Sequence, residues 1–197
     1  MARGPRYHVL FRRRRNGRTN FYYRKRLILS NKLRVIIRSS LKHIRIQIAK
    51  AELIGDKILN STSSFELIKN YNWRGATGNL PTAYLTGLLA GKKALKNNLK
   101  QAVLDLGIAS PIRGNRLFAA LKGLVDAGLE IPHNEKIYPP EDRIRGENIG
   151  NYAKYLTDLE TPEPAQQFSL YKKRGLDPKK FPAHFDEVKE LILQKFK

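Results

Sequence analysis

The chain has 197 residues, with 38 Lys and Arg against 17 Asp and Glu, a formal net charge of +21 and no cysteine. The lack of cysteine excludes disulfides, thiolate metal sites and cysteine nucleophiles, and no apolar run approaches the roughly 18 residues of a membrane span. A hydrophobic fraction of 41% supplies one core at this length, and the charged N-terminus has no apolar signal-peptide region, so a cytosolic protein is expected.

The charge is unevenly placed. Sixteen of the 38 cations precede the first acid, Glu52, so residues 1–51 carry +16 and the remaining 146 carry +5. Self-repulsion on that scale calls for a polyanion. Tyr7, Phe11, Phe21, Tyr22 and Tyr23 lie among the cations; flat rings stack on unpaired bases while Arg and Lys hold phosphates, which points to RNA. A membrane surface is the other common polyanion, but the segment has no sustained amphipathic stripe.

Residues 2–19 contain Gly4, Pro5, Gly17 and dense Arg without apolar period, and read as an arm that stays extended until bound. Residues 20–30 have the composition of a short basic helix capped by Thr19 or Asn20. Residues 33–39 and 44–49 read as strands, the first β-branched at Val35, Ile36 and Ile37, the second alternating Ile44, Ile46 and Ile48 with Arg45 and Gln47. A third strand follows at 57–63. Strand period puts Arg34, Ile36 and Arg38 on one face, which therefore offers cations beside apolar surface.

Residues 65–71 read as helix, followed by a glycine-rich loop holding Trp73, Arg74, Gly75 and Gly78. The next helix starts at Pro81 with Asn79 as cap; its Gly87 and Gly91, four apart on the apolar side, predict close backbone approach to the sheet. A short strand at 102–106 and a helix opened by Gly114 and Asn115 and stopped by Gly128 complete the body. The class is α+β (mixed α/β): an antiparallel three-strand meander plus a further strand, with helices packed on the sheet. The expected organisation is residues 1–31 as basic arm and short helix, 32–130 as body, and 131–197 as C-terminal extension. That extension would hold a short helix around 146–155, a linker at 161–165, and a final helix at 184–196 that needs a partner surface.

Enzymatic motifs are weak. Gly87 to Lys93 resembles a phosphate loop but is one residue short, lacks the Ser or Thr after Lys and falls mid-helix, so no nucleotide or other cofactor is expected. Lys92 and Lys93 read as solvent cations or RNA contacts. His8, His43, His133 and His184 have no ligand spacing. An RNase H-like nuclease needs three or four converging carboxylates; Asp105 and Asp126 are the candidates, but residues 33–49 contain no acid, and Asp105 is better read as a cap or salt-bridge partner. A non-specific DNA-compacting protein is the further alternative, on charge alone. Trp73 either anchors its loop or stacks on a base with Arg74 beside it. Arg113 and Arg116 flank a helix N-terminus whose free amides suit a phosphate.

Several strings then occur together: Gly4-Pro5-Arg6-Tyr7 with Arg12 to Arg15, Ser40-Leu41-Lys42-His43-Ile44, the run from Tyr84 to Ala94, Phe118-Ala119-Ala120-Leu121-Lys122-Gly123, and Gly128-Leu129-Glu130-Ile131-Pro132-His133. Over residues 2 to about 155 the chain resembles the archaeal form of the large-subunit ribosomal protein numbered eighteen, whose eukaryotic counterpart is numbered five. The resemblance implies a non-enzymatic, cytoplasmic ribosomal protein that binds 5S rRNA and helps attach it to the large rRNA in the central protuberance. Neighbouring large-subunit proteins, including the 5S-binding protein numbered five in the bacterial naming, would be its partners. It also implies RNA contacts from Arg6, Tyr7, Arg12, Arg13, Arg14, Arg15, Arg18, Tyr22, Tyr23, Arg24 and Arg26 in the arm, to which charge adds Arg3. From the hairpin come Arg38, Ser40, Lys42 and His43; Leu41 stands where related sequences often have a polar residue.

Overall fold

The computed structural model describes residues 4–158 and 167–196. Arg3 and the expected linker at 161–165 lie outside the described residues. Alternating side chains of β1 (Arg34–Ser39) and β2 (Ile44–Ala51) drive Val35, Ile37, Ile44, Ile46 and Ile48 into the core at no more than 1% exposure. With β3 (Asp56–Ser63) these strands form the expected meander, and β4 (Val103–Asp105) joins in parallel beside β1, giving the order β3-β2-β1-β4. A bulge at Ile48/Ala49 shifts the register with β3.

At the N-terminus the structure departs from an extended arm. Arg12–Arg15 form one helical turn, α1, closed by Arg15 N donating to Phe11 O at 2.9 Å, while Arg13 Nε donates to Thr19 Oγ1 at 2.9 Å. One turn needs no apolar period, and Arg is a good helix former. The expected basic helix follows as α2 (Phe21–Leu29), where Asn20 caps by accepting from Tyr23 N at 3.1 Å.

On the core side of the sheet lie α3 (Phe65–Tyr71), α4 (Leu80–Lys96) and α5 (Arg116–Asp126), the last two capped by Asn79 and Asn115. Gly87 and Gly91 do not meet the sheet. A Cβ on Gly87 would lie 2.1 Å from Ala120 O, one on Gly91 2.4 Å from Ala127 Cβ, and one on Gly123 2.2 Å from Tyr84 O, so α4 and α5 touch backbone to backbone. Helical spacing showed which residues share the close-packed side, but not which neighbour occupies it.

The core does not stop at residue 130. Beyond it come α6 (Glu141–Arg145) and α7 (Glu147–Asp158) in place of one helix at 146–155, then α8 (Ser169–Lys173) and α9 (Phe181–Lys195). Gly146, with φ of +80°, divides α6 from α7. Phe181, Phe185, Val188 and Ile192 of α9 enter the same apolar cluster as the sheet and α4. Trp73 is an anchor at 1% exposure: His184 stacks on it at 5.2 Å, Phe181 meets it edge-on at 5.5 Å, and its Nε1 donates to Ala76 O at 3.2 Å.

Candidate nucleic-acid interface

The sheet face turned away from α4 and α5 carries the alternate residues, and here the charge map changes from the sequence expectation. Arg34 is not a surface cation; it is fully buried between two acids, Nη2 lying 2.5 Å from Asp56 Oδ1 and Nη1 donating to Asp105 Oδ2 at 3.2 Å. A guanidinium tolerates such burial only with paired charge around it. Each acid also holds a second arginine: Arg24 of α2 pairs with Asp56 at 3.0 Å, and Arg38 pairs with Asp105 at 3.0 Å. The result is a chain of alternating charges, Arg24–Asp56–Arg34–Asp105–Arg38, running across the sheet and tying α2 to it. Burial pushes the Asp56 carboxyl up, but the hydrogen bond and charge of Arg34, aided by Arg24, outweigh this and hold it below its ordinary value.

Two concavities meet at Arg38. A crevice of about 100 Å³ brings Arg13, Arg18, Tyr23 and Arg24 beside Arg38 and Asp105. On the other side a groove of about 670 Å³ is lined by Arg38, Ser40, His43, Arg45, Ser63 and Phe65. Arg38 and Arg45 are directly opposed on β1 and β2. Like charges so placed repel, and an anion between them removes the cost.

Around these concavities the expected contact residues fall into two sets. Arg6, Tyr7, Arg12, Arg13, Arg14, Arg15, Arg18, Tyr22, Tyr23, Arg26, Lys42 and Arg113 are exposed. Arg26 lies over the Tyr22 ring at 4.4 Å, a preformed stacking pair. The others are committed within the protein to some degree. Ser40 closes the β1–β2 turn, accepting from His43 N at 2.9 Å and donating to His43 O at 3.1 Å, and His43 Nδ1 lies 3.4 Å from Ser64 Oγ. Arg74 donates to Gly175 O at 3.1 Å, Arg116 donates to Gly78 O at 2.9 Å, Lys93 pairs with Glu66, and Lys92 is half-buried. Through Gly78, which packs against the backbone of Leu41 and Lys42, Arg116 is linked to the β1–β2 turn.

Sequence reasoning missed Arg45 and Phe65 as groove residues. Arg45 is legible in the sequence, since the alternation with Ile44 and Ile46 turns it outward, whereas a helix start at Phe65 gives no sign that this side chain, 46% exposed, lines the groove. The nuclease candidates are separately engaged: Asp105 by two arginines, Asp126 by the Tyr84 hydroxyl donating at 2.8 Å.

Residues 5–102 and 96–134 match the family described as ribosomal large subunit proteins 60S L5, and 50S L18. The large ribosomal subunit protein uL18 of Staphylothermus marinus is 48% identical over 197 residues, covering all of this chain and 98% of its own. That of Aeropyrum pernix is 46% identical over 197 residues, covering all of this chain and 92% of its own.

Proposed function

The chain belongs to the family of ribosomal large subunit proteins 60S L5 and 50S L18, in its archaeal form, and from this premise we propose that its cationic face holds 5S rRNA against the large rRNA. Family membership makes it a structural constituent of the large ribosomal subunit in the cytoplasm, and not an enzyme. Ribosomal RNA and neighbouring ribosomal proteins are its partners; among the latter we place the 5S-binding protein numbered five in the bacterial naming.

One observation carries the 5S reading. Of the sixteen cations that precede the first acid, Arg13, Arg18, Arg24, Arg38 and Arg45 border an arm crevice and a strand groove that meet at Arg38. Exposed arginines on the arm supply sequence-independent phosphate contacts, and the groove supplies fixed donors with Phe65 as an apolar wall. The proposed contact set is Arg6, Tyr7, Arg12 to Arg15, Arg18, Tyr22, Tyr23 and Arg26 in the arm, with Arg38, Lys42, His43 and Arg45 around the groove. Ser40 is assigned to shaping the turn. Binding of a 5S rRNA transcript, competed with an unrelated structured RNA and with duplex DNA at moderate salt, tests it. Preference for 5S rRNA is expected; equal competition by duplex DNA would support a DNA-compacting protein instead.

A further inference from the structure

Arg38 is held in an arrangement that leaves one edge of its guanidinium for a ligand. Its Nη1 donates to Ile37 O at 2.9 Å and to Asp105 O at 2.8 Å, and its Nη2 donates to Asp105 Oδ1 at 3.0 Å. Among the described residues three of the five N–H groups are thereby used, both of Nη1 and the inner one of Nη2, with Asp105 taking one from each nitrogen. The remaining two, on Nε and the outer side of Nη2, form the side-on fork that matches a phosphate in bidentate geometry. The side chain is 47% exposed and borders both the crevice and the groove.

Asp105 is itself immobilised. It is 5% exposed, accepts from Gly107 N at 2.8 Å through the oxygen that takes Arg38, and receives the buried Arg34 at its other oxygen. Gly107 has a φ of +67°, and a Cβ there would sit 2.8 Å from Arg38 Cζ, so the turn after β4 closes directly over the guanidinium. An arginine serving only as diffuse positive charge would need none of these restraints and would be more strongly cationic without a carboxylate beside it.

We propose that Asp105 is a positioning residue for RNA: it lowers the positive charge of the face, yet strengthens the specific complex by fixing Arg38 with its side-on fork open to a backbone phosphate. The inference rests on the reading of this face as the 5S rRNA interface. Simple electrostatics and positioning predict opposite signs for one substitution. Asp105→Asn removes one negative charge, so charge alone predicts tighter binding to every RNA. Under positioning, affinity for 5S rRNA falls about tenfold, the order of one lost charge-assisted contact, while affinity for an unrelated RNA of equal length is unchanged or rises.

The experiment measures both RNAs against the full chain and against Asp105→Asn, Arg38→Gln, Arg38→Lys and the double variant Arg38→Gln/Asp105→Asn, with circular dichroism as the folding check. Arg38→Gln and Arg38→Lys are expected to lose about as much 5S affinity as Asp105→Asn, and the double variant no more than either, because the two residues act as one unit. Equal tightening of both RNAs by Asp105→Asn overturns the proposal. Should Asp105→Asn fail to fold, Arg38→Lys decides, since it keeps the charge and loses the fork: parental affinity would overturn the proposal. If Arg38→Gln has no effect while removal of the arm abolishes binding, positioning is wrong and the 5S reading stands. If neither change affects binding, the 5S reading itself fails.

Discussion

Gly123→Ala tests the packing on which the whole face is mounted. The change adds one methyl group to a buried helix and, by intrinsic propensity alone, should stabilise α5 by about 1 kcal/mol. In the structure that methyl would lie 2.2 Å from Tyr84 O and 2.8 Å from Leu88 N, and the reciprocal position, Gly87, already lies against Ala120 O. The obstacle is backbone inside α4, which cannot rotate away as a side chain can. Relief requires α4 and α5 to separate by about 1 Å, loosening the packing between them, which puts the cost above the usual overpacking range of about 1–3 kcal/mol, at about 4 kcal/mol. The expected net loss is therefore about 3 kcal/mol, or roughly 6–12 °C in Tm for a chain of this size. Urea denaturation should show this as a lower midpoint with an unchanged slope. Gly55→Ala is the control: nothing lies within 4 Å of its added methyl, and stability should stay within about 0.5 kcal/mol of the parent. A Gly123→Ala protein as stable as the parent would refute the backbone contact between α4 and α5.

Further expectations concern the interface and the charge chain. If about six phosphates are neutralised, log affinity for RNA should fall against log salt with a slope of about −4 to −5, measured by titration at several salt concentrations. Deleting residues 1–19, where no described side chain is buried, should weaken RNA binding strongly while changing Tm little in the absence of RNA; a drop of many degrees would assign the arm to the core. The Asp56 carboxyl is held below its ordinary value in the folded state, so its contribution is full above the unfolded value near ~3.9 and is lost as pH falls through the lower folded value. Tm followed through this acid range should accordingly fall less steeply in Asp56→Asn than in the parent. Trp73→Ala removes a fully buried indole and should cost about 3–5 kcal/mol in chemical denaturation; near-parental stability would contradict its anchoring role.

Residue order alone determined several things about this protein. Asn79, Asn115 and the pair Thr19 and Asn20, of which Asn20 is the cap, placed the starts of three helices because a side-chain oxygen ahead of a helical run satisfies free amides locally. Alternation of Ile44, Ile46 and Ile48 with polar residues placed β2, and the acid-free stretch before Glu52 marked the cationic segment; both are properties of neighbours in sequence. Tertiary structure decided what those residues meet. Gly87 and Gly91 were recognisable as a close-approach side, but only folding put α5 rather than the sheet against them. The placement of α9 in the core likewise depends on Trp73, more than a hundred residues earlier, finding His184 and Phe181. The arginines show the difference most sharply: Arg34 and Arg38 have the same sequence signature, four residues apart on one strand face. Yet the convergence of Asp56 and Asp105 buries Arg34 between two carboxylates and leaves Arg38 with one open edge, because charge pairing acts through space across 22 to 71 positions of chain.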